Sequence, residues 1–285
     1  MKILVTGATG FIGRPLCNQL LQQGHQVIAL TRNPEKARAT LPEGITCLPW
    51  GTEQHTEWRH ALATTHAILH LAGEPVASAP WTPQFKEIIR ASRVHTTRQL
   101  VHAIKDASPP PTTLISASAV GFYGNRHDET LTEDSPPGTG FLAETCQQWE
   151  HEAQQATAYG LRVCCMRIGI VLGKGGALQK ILYPLPLPLS PWKLGLGGPF
   201  GSGKQWMPWI HLHDAVHLFL WALNNPQAHG PINTTAPNPV TNAQFARALA
   251  RALHRPALLP VPAFALRLLL GEFADTILAG QKALP

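Results

Sequence analysis

Apolar and polar positions alternate in a regular way along the first part of this chain. Short apolar runs, each of a length suited to a buried strand, occur at residues 3–6, 27–31, 45–48, 67–71, 113–116 and 161–168. Between them, apolar residues recur every three or four positions over residues 12–23, 83–106 and 143–159, which is the spacing of a helix with one buried face. Strands that alternate with helices predict an α/β fold built on a doubly wound parallel sheet.

The pattern changes after residue 173. A region rich in proline and glycine extends to residue 203, and helical spacing then returns near residues 214–223, 242–253 and 263–271. We therefore predict a main domain over residues 1–173 and a small, mainly helical lobe over residues 174–285, with some elements returning to the main domain. The apolar, proline-rich run at 181–191 is interpreted as a stiff loop over a cleft, with a polyproline ligand as the alternative.

Composition and charge narrow the class of protein. The 285 residues are 44% hydrophobic and 14% charged, which is typical of a folded domain, and the net charge of +6 includes no run of basic residues. Nucleic-acid binding and a membrane span are therefore not expected. The chain begins directly on its first strand, so we expect a cytoplasmic protein. The cysteines lack any C-x-x-C pair and are interpreted as buried reduced thiols: Cys17, Cys47, Cys146, Cys164 and Cys165.

Three glycines follow the first strand at a spacing of three residues. Gly7, Gly10 and Gly13 precede a helical segment, and a second strand completes a βαβ unit. A pyrophosphate must approach bare backbone amides at a helix N-terminus, where a Cβ would keep it away and the helix dipole favours negative charge. The sequence thus predicts a Rossmann-type dinucleotide site. The candidate contacts in this loop are Gly7, Thr9, Gly10, Phe11, Ile12 and Gly13.

The end of the second strand bears on the choice of cofactor. An acidic residue there would bind the adenosine ribose of NAD, but this chain has Thr31 and Arg32. A guanidinium can hold a 2′-phosphate through two parallel charge-assisted hydrogen bonds. We predict NADP as the cofactor, with a solvated surface arginine as the alternative interpretation of Arg32.

Three further segments complete the predicted site. The glycine spacing resembles that of the extended, epimerase-like branch of the short-chain dehydrogenase/reductase superfamily. Residues 67–75 then resemble its N-x-A-G or H-x-A-G element, which lies beside the cofactor ribose groups and here comprises Leu71, Ala72, Gly73 and Glu74. Residues 115–124 resemble its serine element with one extra residue, and this implies that Ser118 hydrogen-bonds the reacting oxygen. Residues 167–173 resemble the strand end under the nicotinamide.

The catalytic tyrosine of that branch has no counterpart. Its members carry Tyr-x-x-x-Lys on the following helix, where the lysine lowers the tyrosine pKa and holds the ribose. Counting back from Glu150 places Leu142 and Cys146 at these positions. Leucine has no proton to exchange and a thiol supplies no fixed positive charge. We predict that Tyr123, the tyrosine nearest to Ser118, takes the acid/base role.

These features together resemble the atypical "epimerase family protein" group, the short-chain dehydrogenase family 39U type. The resemblance covers nearly the whole chain and includes Gly-Glu-Pro at 73–75, Ser92-Arg93, Trp149-Glu150, the glycine-rich segment at 194–205 and Gly-Gln-Lys-Ala-Leu-Pro at 280–285. It implies an epimerase-like fold and NADP binding, and it leaves the substrate and the reaction open. Members usually continue beyond the last motif, so we expect a truncated chain.

Two motifs in the second half of the chain partly match known binding motifs, a phosphate-binding loop and a metal-binding histidine pair. Residues 198–205 approach a phosphate-binding loop, but Gln205 replaces the hydroxyl that would hold magnesium. We expect instead a mobile substrate loop at 195–204, with Lys204 and Trp209 facing the substrate. The pair His211 and His213 lacks further ligands at metal-binding spacing, so no metal site is predicted and Asp214 is interpreted as a helix N-cap.

We accordingly expect an NADP-dependent oxidoreductase or epimerase-like protein that acts on an unidentified small polar metabolite. Two alternatives remain open: a catalytically silent NADP-binding regulatory protein, for example in cell or plastid division, and an interaction scaffold. A homodimer through the helices at 83–106 and 143–159 is a further expectation, by analogy with extended relatives.

Overall fold

A computed structural model describes residues 1–51, 56–183, 190–257 and 259–285. Its strands, in chain order, are β1 (Lys2–Thr6), β2 (Gln26–Thr31), β3 (Thr46–Pro49), β4 (Ala67–His70), β5 (Thr113–Ala119), β6 (Thr130–Leu131), β7 (Arg162–Ile168), β8 (Ile170–Leu172), β9 (Trp206–Met207), β10 (Trp209–His211), β11 (Gly230–Thr234), β12 (Val240–Thr241) and β13 (Lys282–Ala283). Most of the proline-rich run, residues 184–189, lies outside the described ranges, so its predicted place over a cleft is not addressed.

The helices flank this framework on both sides. They are α1 (Gly13–Gln22), α2 (Pro34–Arg38), α3 (Glu57–Leu62), α4 (Pro83–Lys105), α5 (Phe141–Gln154), α6 (Ala177–Leu182), α7 (Leu212–Asn224), α8 (Asn242–Ala252), α9 (Ala263–Leu270) and α10 (Phe273–Leu278), with 3-10 turns at Val120–Tyr123 and Gln155–Tyr159. No helix within the described residues combines the length and apolar character that a membrane crossing requires.

Seven parallel strands form the central sheet in the order β11-β7-β5-β4-β1-β2-β3. The strand order reverses between β1 and β4, where the connecting segments leave to opposite sides of the sheet. In a doubly wound sheet this reversal opens a crevice at the carboxyl ends of the strands. The predicted fold class, a Rossmann-type parallel sheet, is confirmed, and the loops after β1 and β4 both lie at the crevice.

The sheet has a hydrophobic core on each face. On one face α1 and α7 contribute Leu16, Leu20 and Phe219, and on the other α3 and α4 contribute Leu62 and Leu100. The adjacent cysteines of β7 face opposite sides of the sheet, since Cys164 belongs to the first core and Cys165 to the second. All the cysteines are buried and free.

Elements beyond residue 173 return to this main body. Helix α7 packs in the first core, and β11 forms the edge of the central sheet beside β7. The predicted N-cap of α7 is wrong. The helix begins at Leu212, His211 is its N-cap, and the Nδ1 of His211 accepts from the backbone N–H of His213 at 3.2 Å, so Asp214 lies within the first turn.

The C-terminal residues form a tail that crosses the main body. β13 pairs in parallel with β6, and the Nε2 of Gln281 donates to the carbonyl oxygen of Gly124 at 2.9 Å. The carbonyl oxygen of Leu284 accepts from the side-chain amide of Asn233 at 2.7 Å. The hydroxyl of Thr235, just after β11, donates to the carbonyl oxygen of Ala283 at 3.4 Å, so the tail connects the loops that follow β5 and β11.

Candidate active site

The glycine loop after β1 depends on its glycines for contacts within the protein as well as for an open surface. Gly7 has a φ of +67°, and a Cβ on it would lie 2.6 Å from the carbonyl oxygen of Leu71. A Cβ on Gly13 would lie 2.1 Å from the carbonyl oxygen of Gly7, whereas one on Gly10 would lie 3.0 Å from that oxygen. Gly7 and Gly13 thus let the loop fold tightly against α1 and against the loop after β4. Gly10 is the exposed member of the three.

The same loop presents unpaired backbone donors. The N–H of Gly10 donates to the carbonyl of Gly7 at 2.9 Å, but no described group accepts from the N–H of Phe11, Ile12 or Gly13. The first turn of α1 has no acidic residue, and no side chain caps it. Free amides at an uncapped helix N-terminus attract anions, because the donors and the helix dipole point the same way. This end of α1 fits a pyrophosphate.

The other cofactor contacts predicted in the glycine loop are Thr9, Phe11 and Ile12. Thr9 is exposed at the tip of the loop, and Ile12 is half-buried against the apolar cluster around Ile210. The ring of Phe11 packs so closely on the segment after β8 that a Cβ on Gly176 would lie 2.3 Å from it. Phe11 therefore anchors the glycine loop to the second half of the chain.

Arg32 lies where the sequence predicts it, at the carboxyl end of β2. Its side chain is exposed, its Cγ would be 3.4 Å from a Cβ on Gly51, and it forms no ion pair with any described residue. The hydroxyl of Thr31 accepts from the backbone N–H of Asn33 at 3.3 Å, which shapes the turn. The guanidinium of Arg32 is therefore not neutralised by any described acidic side chain.

Beneath the loop after β4 runs a buried hydrogen-bonded relay. The hydroxyl of Thr97 donates to the carbonyl of Arg93 at 2.6 Å, so it must accept from the Nε2–H of His70 at 2.9 Å. The Nδ1 of His70 then accepts from the hydroxyl of Thr6 at 2.7 Å. The Thr6 oxygen in turn accepts from the backbone N–H groups of Leu71 and Ala72, each at 3.1 Å.

The direction of this relay requires a neutral His70. Burial lowers the pKa of His70 to about 4, because the imidazolium would be desolvated with no anion beside it. The relay fixes the backbone of the predicted Leu-Ala-Gly segment to β1. Sequence analysis missed the role of His70, although the H-x-A-G resemblance marked the position.

Gly73 and Glu74 continue this loop toward α4. The N–H of Glu74 donates to the hydroxyl of Ser92 at 2.9 Å, and its carboxylate accepts from Ser78 at 3.0 Å. A Cβ on Gly73 would lie 3.2 Å from the Cζ of Arg93. The loop is thus held on both sides, by β1 and by α4.

Ser118, at the end of β5, forms part of a second polar network. Its hydroxyl donates to the Oε1 of Glu150 at 2.6 Å, and only 2% of the residue is exposed. The Nε and Nη2 of Arg167 bind the two oxygens of the same carboxylate, each at 2.9 Å. Burial alone would lower the pKa of Arg167, but the hydrogen bonds and charge of Glu150 raise it. In this arrangement Ser118 donates its hydroxyl proton to Glu150 and can only accept a hydrogen bond from a substrate.

Tyr123 is fully buried in that network, with 0% of its surface exposed. Its hydroxyl donates to the Oδ1 of Asn233 at 2.7 Å and accepts from the Nη1 of Arg167 at 2.9 Å. Burial raises the pKa of Tyr123, and the hydrogen bond from Arg167 only partly opposes it. A catalytic tyrosine requires the opposite shift, so the geometry does not support the acid/base role predicted for Tyr123.

The positions of the missing pair are filled by packing. A Cβ on Gly121 would lie 3.5 Å from Cβ of Leu142 and 3.8 Å from the Sγ of Cys146, so the turn after β5 rests on this face of α5. Burial and the charge of Glu150 raise the pKa of Cys146 to about 12, which leaves a neutral thiol.

The two predicted substrate residues, Trp209 and Lys204, have different surroundings. Trp209 begins β10, which pairs with β8 just beyond β7, and its Nε1 donates to the carbonyl of Asn238 at 3.2 Å. Lys204 is exposed, and only its backbone forms a hydrogen bond with a described group, the hydroxyl of Ser202.

The expected mobile loop at 195–204 has more packing than its composition indicated. A Cβ on Gly198 would lie 2.1 Å from the carbonyl oxygen of Leu259, and Gly201 donates to Val261 at 2.8 Å. Gln205, the mismatch in the phosphate-loop pattern, donates to the carbonyl of Phe200 at 3.0 Å. The premise of a loosely packed lid is therefore wrong, because these glycines permit close backbone contacts. Nor do the described ranges contain a group of three or more side chains placed to hold a metal ion.

Glu150 and Arg167 are site residues whose roles sequence analysis missed. Glu150 served there only as a reference position, and Arg167 only as the start of a strand-end motif. A charged residue inside the otherwise apolar stretch at 163–168 was the available signal, since a buried arginine requires a carboxylate partner.

The sheet order, the crevice and the uncapped glycine loop define a Rossmann-type dinucleotide-binding protein. A family model described as the NAD dependent epimerase/dehydratase family matches residues 3–234, and one described as a domain of unknown function, DUF1731, matches residues 261–285. The chain belongs to the NAD dependent epimerase/dehydratase family.

Relatives extend this finding along the whole chain and confirm the predicted resemblance. The Arabidopsis thaliana "Epimerase family protein SDR39U1 homolog, chloroplastic" is 42% identical over 291 residues, covering 100% of this chain and 80% of the relative. Epimerase family protein YfhF of Bacillus subtilis is 41% identical, covering 100% of this chain and 90% of the relative. A crystal structure of human epimerase family protein SDR39U1 (isoform 2) with NADPH is similar with a TM-score of 0.82 and 32% identity, covering 100% of this chain and 91% of that one.

Proposed function

We propose that this protein binds NADP(H) in the crevice between the loops after β1 and β4. The observation that carries the proposal is the set of unpaired N–H groups of Phe11, Ile12 and Gly13 at the uncapped start of α1. Pyrophosphate oxygens would accept from these amides, and the exposed Gly10 leaves room for the phosphates to approach. The relay through Thr6 and His70 holds the facing loop in place.

Preference for NADP over NAD rests on Arg32. Its guanidinium is exposed at the end of β2 and is not paired with a described carboxylate, so it is available to a 2′-phosphate. The similar human protein was crystallised with NADPH, which supports the same choice here.

A titration of the purified protein tests both parts of the proposal. Isothermal calorimetry with NADPH and NADH should give at least about tenfold tighter binding of NADPH, and Arg32→Ala should remove most of that difference without weakening NADH. Arg38→Ala, on the neighbouring helix α2, is the matched control and should bind as the parent does. Equal affinities for the two cofactors in the parent protein would refute the assignment to NADP, and no binding of either would refute the site.

For the reaction, we propose oxidoreductase or epimerase-like chemistry on a small polar metabolite. A bound nicotinamide would supply hydride transfer. The chain's own contribution would be to orient the substrate oxygen at the end of β5, where the Ser118 oxygen is available as an acceptor while its proton is held by Glu150. Residues Lys204 and Trp209 remain candidates for the substrate side.

NADP(H)-linked turnover across a panel of carbonyl compounds and nucleotide sugars is the direct assay. Oxidation or reduction of any member above the no-enzyme rate supports the proposed chemistry. Tight NADPH binding with no turnover across the panel would contradict it and favour a regulatory role for the bound cofactor.

A further inference from the structure

Arg93 is a partly buried cation beside the loop after β4. It lies on α4, its Cζ would be 3.2 Å from a Cβ on Gly73, and it stands 5.3 Å from the centre of the Trp149 ring on α5. The guanidinium therefore lies between the loop after β4 and the face of α5 where the Tyr-x-x-x-Lys pair would be. Gly73 leaves one side of it uncovered by a side chain.

Within the described part of the chain, one nitrogen of this guanidinium forms hydrogen bonds. The Nη1 of Arg93 donates to the carbonyl of Ile89 at 3.0 Å and contacts the hydroxyl of Ser92 at 3.3 Å. Among the residues that the structure describes, no acceptor lies within hydrogen-bond distance of its Nε or Nη2. Burial lowers the pKa of Arg93, and the charges of Cys146 and Glu74 partly oppose this, although Glu74 forms no ion pair with it. Arg93 as a whole is half-buried, and neither nitrogen is among the fully buried side-chain atoms that lack a partner.

Nε and Nη2 form the edge of a guanidinium that binds two oxygens at once. Arg167 uses this same pair of nitrogens to hold the two oxygens of Glu150, each at 2.9 Å. In Arg93 the equivalent edge is left for a ligand that offers two neighbouring oxygens.

The surroundings of Arg93 locate that ligand along the crevice. Cys146 lies one turn before Trp149 on α5, and the guanidinium of Arg93 stands 5.3 Å from the centre of the Trp149 ring. Burial raises the pKa of the Cys146 thiol, and the charge of Arg93 partly opposes this rise. Cys146 occupies the position at which a lysine would hold the nicotinamide ribose. The glycine loop reaches the same segment from the other end, since a Cβ on Gly7 would lie 2.6 Å from the carbonyl oxygen of Leu71, two residues before Gly73.

We propose that Arg93 supplies, from α4, the positive charge that Cys146 cannot, and that its Nε and Nη2 hydrogen-bond the two hydroxyls of the nicotinamide ribose. The inference rests on the proposed NADP(H) binding and adds a residue that fixes the nicotinamide half of the cofactor. A vicinal diol offers two oxygens at a spacing that the guanidinium edge can reach.

The test compares NADPH with 2′,5′-ADP, which retains the adenosine and 2′-phosphate but lacks the nicotinamide ribose. By calorimetry, Arg93→Gln should weaken NADPH about tenfold or more, since two hydrogen bonds to a charged donor are lost, and should leave 2′,5′-ADP within about twofold. Arg98→Gln is the matched control, because Arg98 lies on the same helix in an exposed ion pair with Glu152 and should affect neither ligand.

Arg93→Lys is a second variant that controls for loss of folding, since it keeps the positive charge but cannot form the bidentate hydrogen bond. It should weaken NADPH selectively, by less than the glutamine variant, with an unchanged melting temperature. Equal weakening of both ligands, or unchanged NADPH affinity in Arg93→Gln, would overturn the inference. If the parent protein binds no NADPH, it is the proposed function that fails.

Discussion

Acidification should weaken this fold through His70. The imidazole is fully buried and neutral, and burial lowers its pKa from the ordinary 6.5 to about 4. Between these two values the unfolded chain binds a proton that the folded protein does not bind. The free energy of unfolding therefore falls as the pH falls through this window, and the contribution of His70 is fully present only above the unfolded value.

The magnitude follows from the two pKa values. A shift from 6.5 to about 4 removes about 2 kcal/mol of the free energy of unfolding between pH 7 and pH 5, and about 3 kcal/mol in total once the pH is below the folded value. Other groups titrate in the same range, so the effect must be isolated by a substitution. His70→Asn removes the titrating group, and its side-chain oxygen can still accept from the hydroxyl of Thr6.

Urea unfolding followed by tryptophan fluorescence measures the effect, since Trp50 packs 6.1 Å from the His70 ring. At pH 7 the variant should be less stable by about 1 kcal/mol, because the contact with Thr97 is lost. The difference should shrink or reverse by pH 5, because only the parent loses the histidine contribution. His95→Asn, at an exposed position of α4, should follow the parent at every pH. Parallel stability curves for the parent and His70→Asn from pH 7 to pH 5 would refute the reasoning.

Three further substitutions separate the functions of the crevice walls. Gly10→Ala should abolish NADPH binding in calorimetry and should lower the melting temperature less than Gly13→Ala does, because its Cβ would lie 3.0 Å from the Gly7 oxygen, compared with 2.1 Å for Gly13. Gly13→Ala should lower the free energy of unfolding by about 1–3 kcal/mol. Tight NADPH binding by Gly10→Ala would contradict this expectation. Tyr123→Phe should lower the free energy of unfolding by about 1–3 kcal/mol in urea, because Asn233 and Arg167 lose a buried partner. Its NADPH affinity should be unchanged. A variant that is as stable as the parent but loses about a hundredfold in turnover would restore the catalytic role of the tyrosine.

The sheet could be predicted from the sequence because its strands are nearly continuous apolar runs between helical segments. The six expected runs correspond to β1, β2, β3, β4, β5 and β7. The seventh strand, β11, escaped prediction because Gly230, Pro231 and Asn233 interrupt its apolar pattern. It is an edge strand, which tolerates such residues better than a central one.

The cofactor half of the site was predictable for a related reason. Its residues are brought together by short loops after β1, β2 and β4, so their spacing in the sequence already determines their geometry. The opposite wall is assembled from Ser118, Glu150 and Arg167, which lie on three separate elements. Nothing local in the sequence indicates that the Tyr123 hydroxyl will meet Asn233, so its burial could not be anticipated.

The tail that joins the loops after β5 and β11 gives the two walls of the crevice different positions in the folding order. The wall of β1, β4 and α4 is closed by hydrogen bonds within the first 97 residues, such as those of Thr6 and Thr97 to His70. The other wall needs Tyr123 to meet Asn233, 110 residues away, and Gln281 to reach Gly124, 157 residues away. Because closing long loops costs chain entropy before distant contacts form, the tail should dock late in folding. Weakening contacts formed after the transition state chiefly accelerates unfolding, so changes in the tail should shorten the lifetime of the folded protein more than they slow its formation.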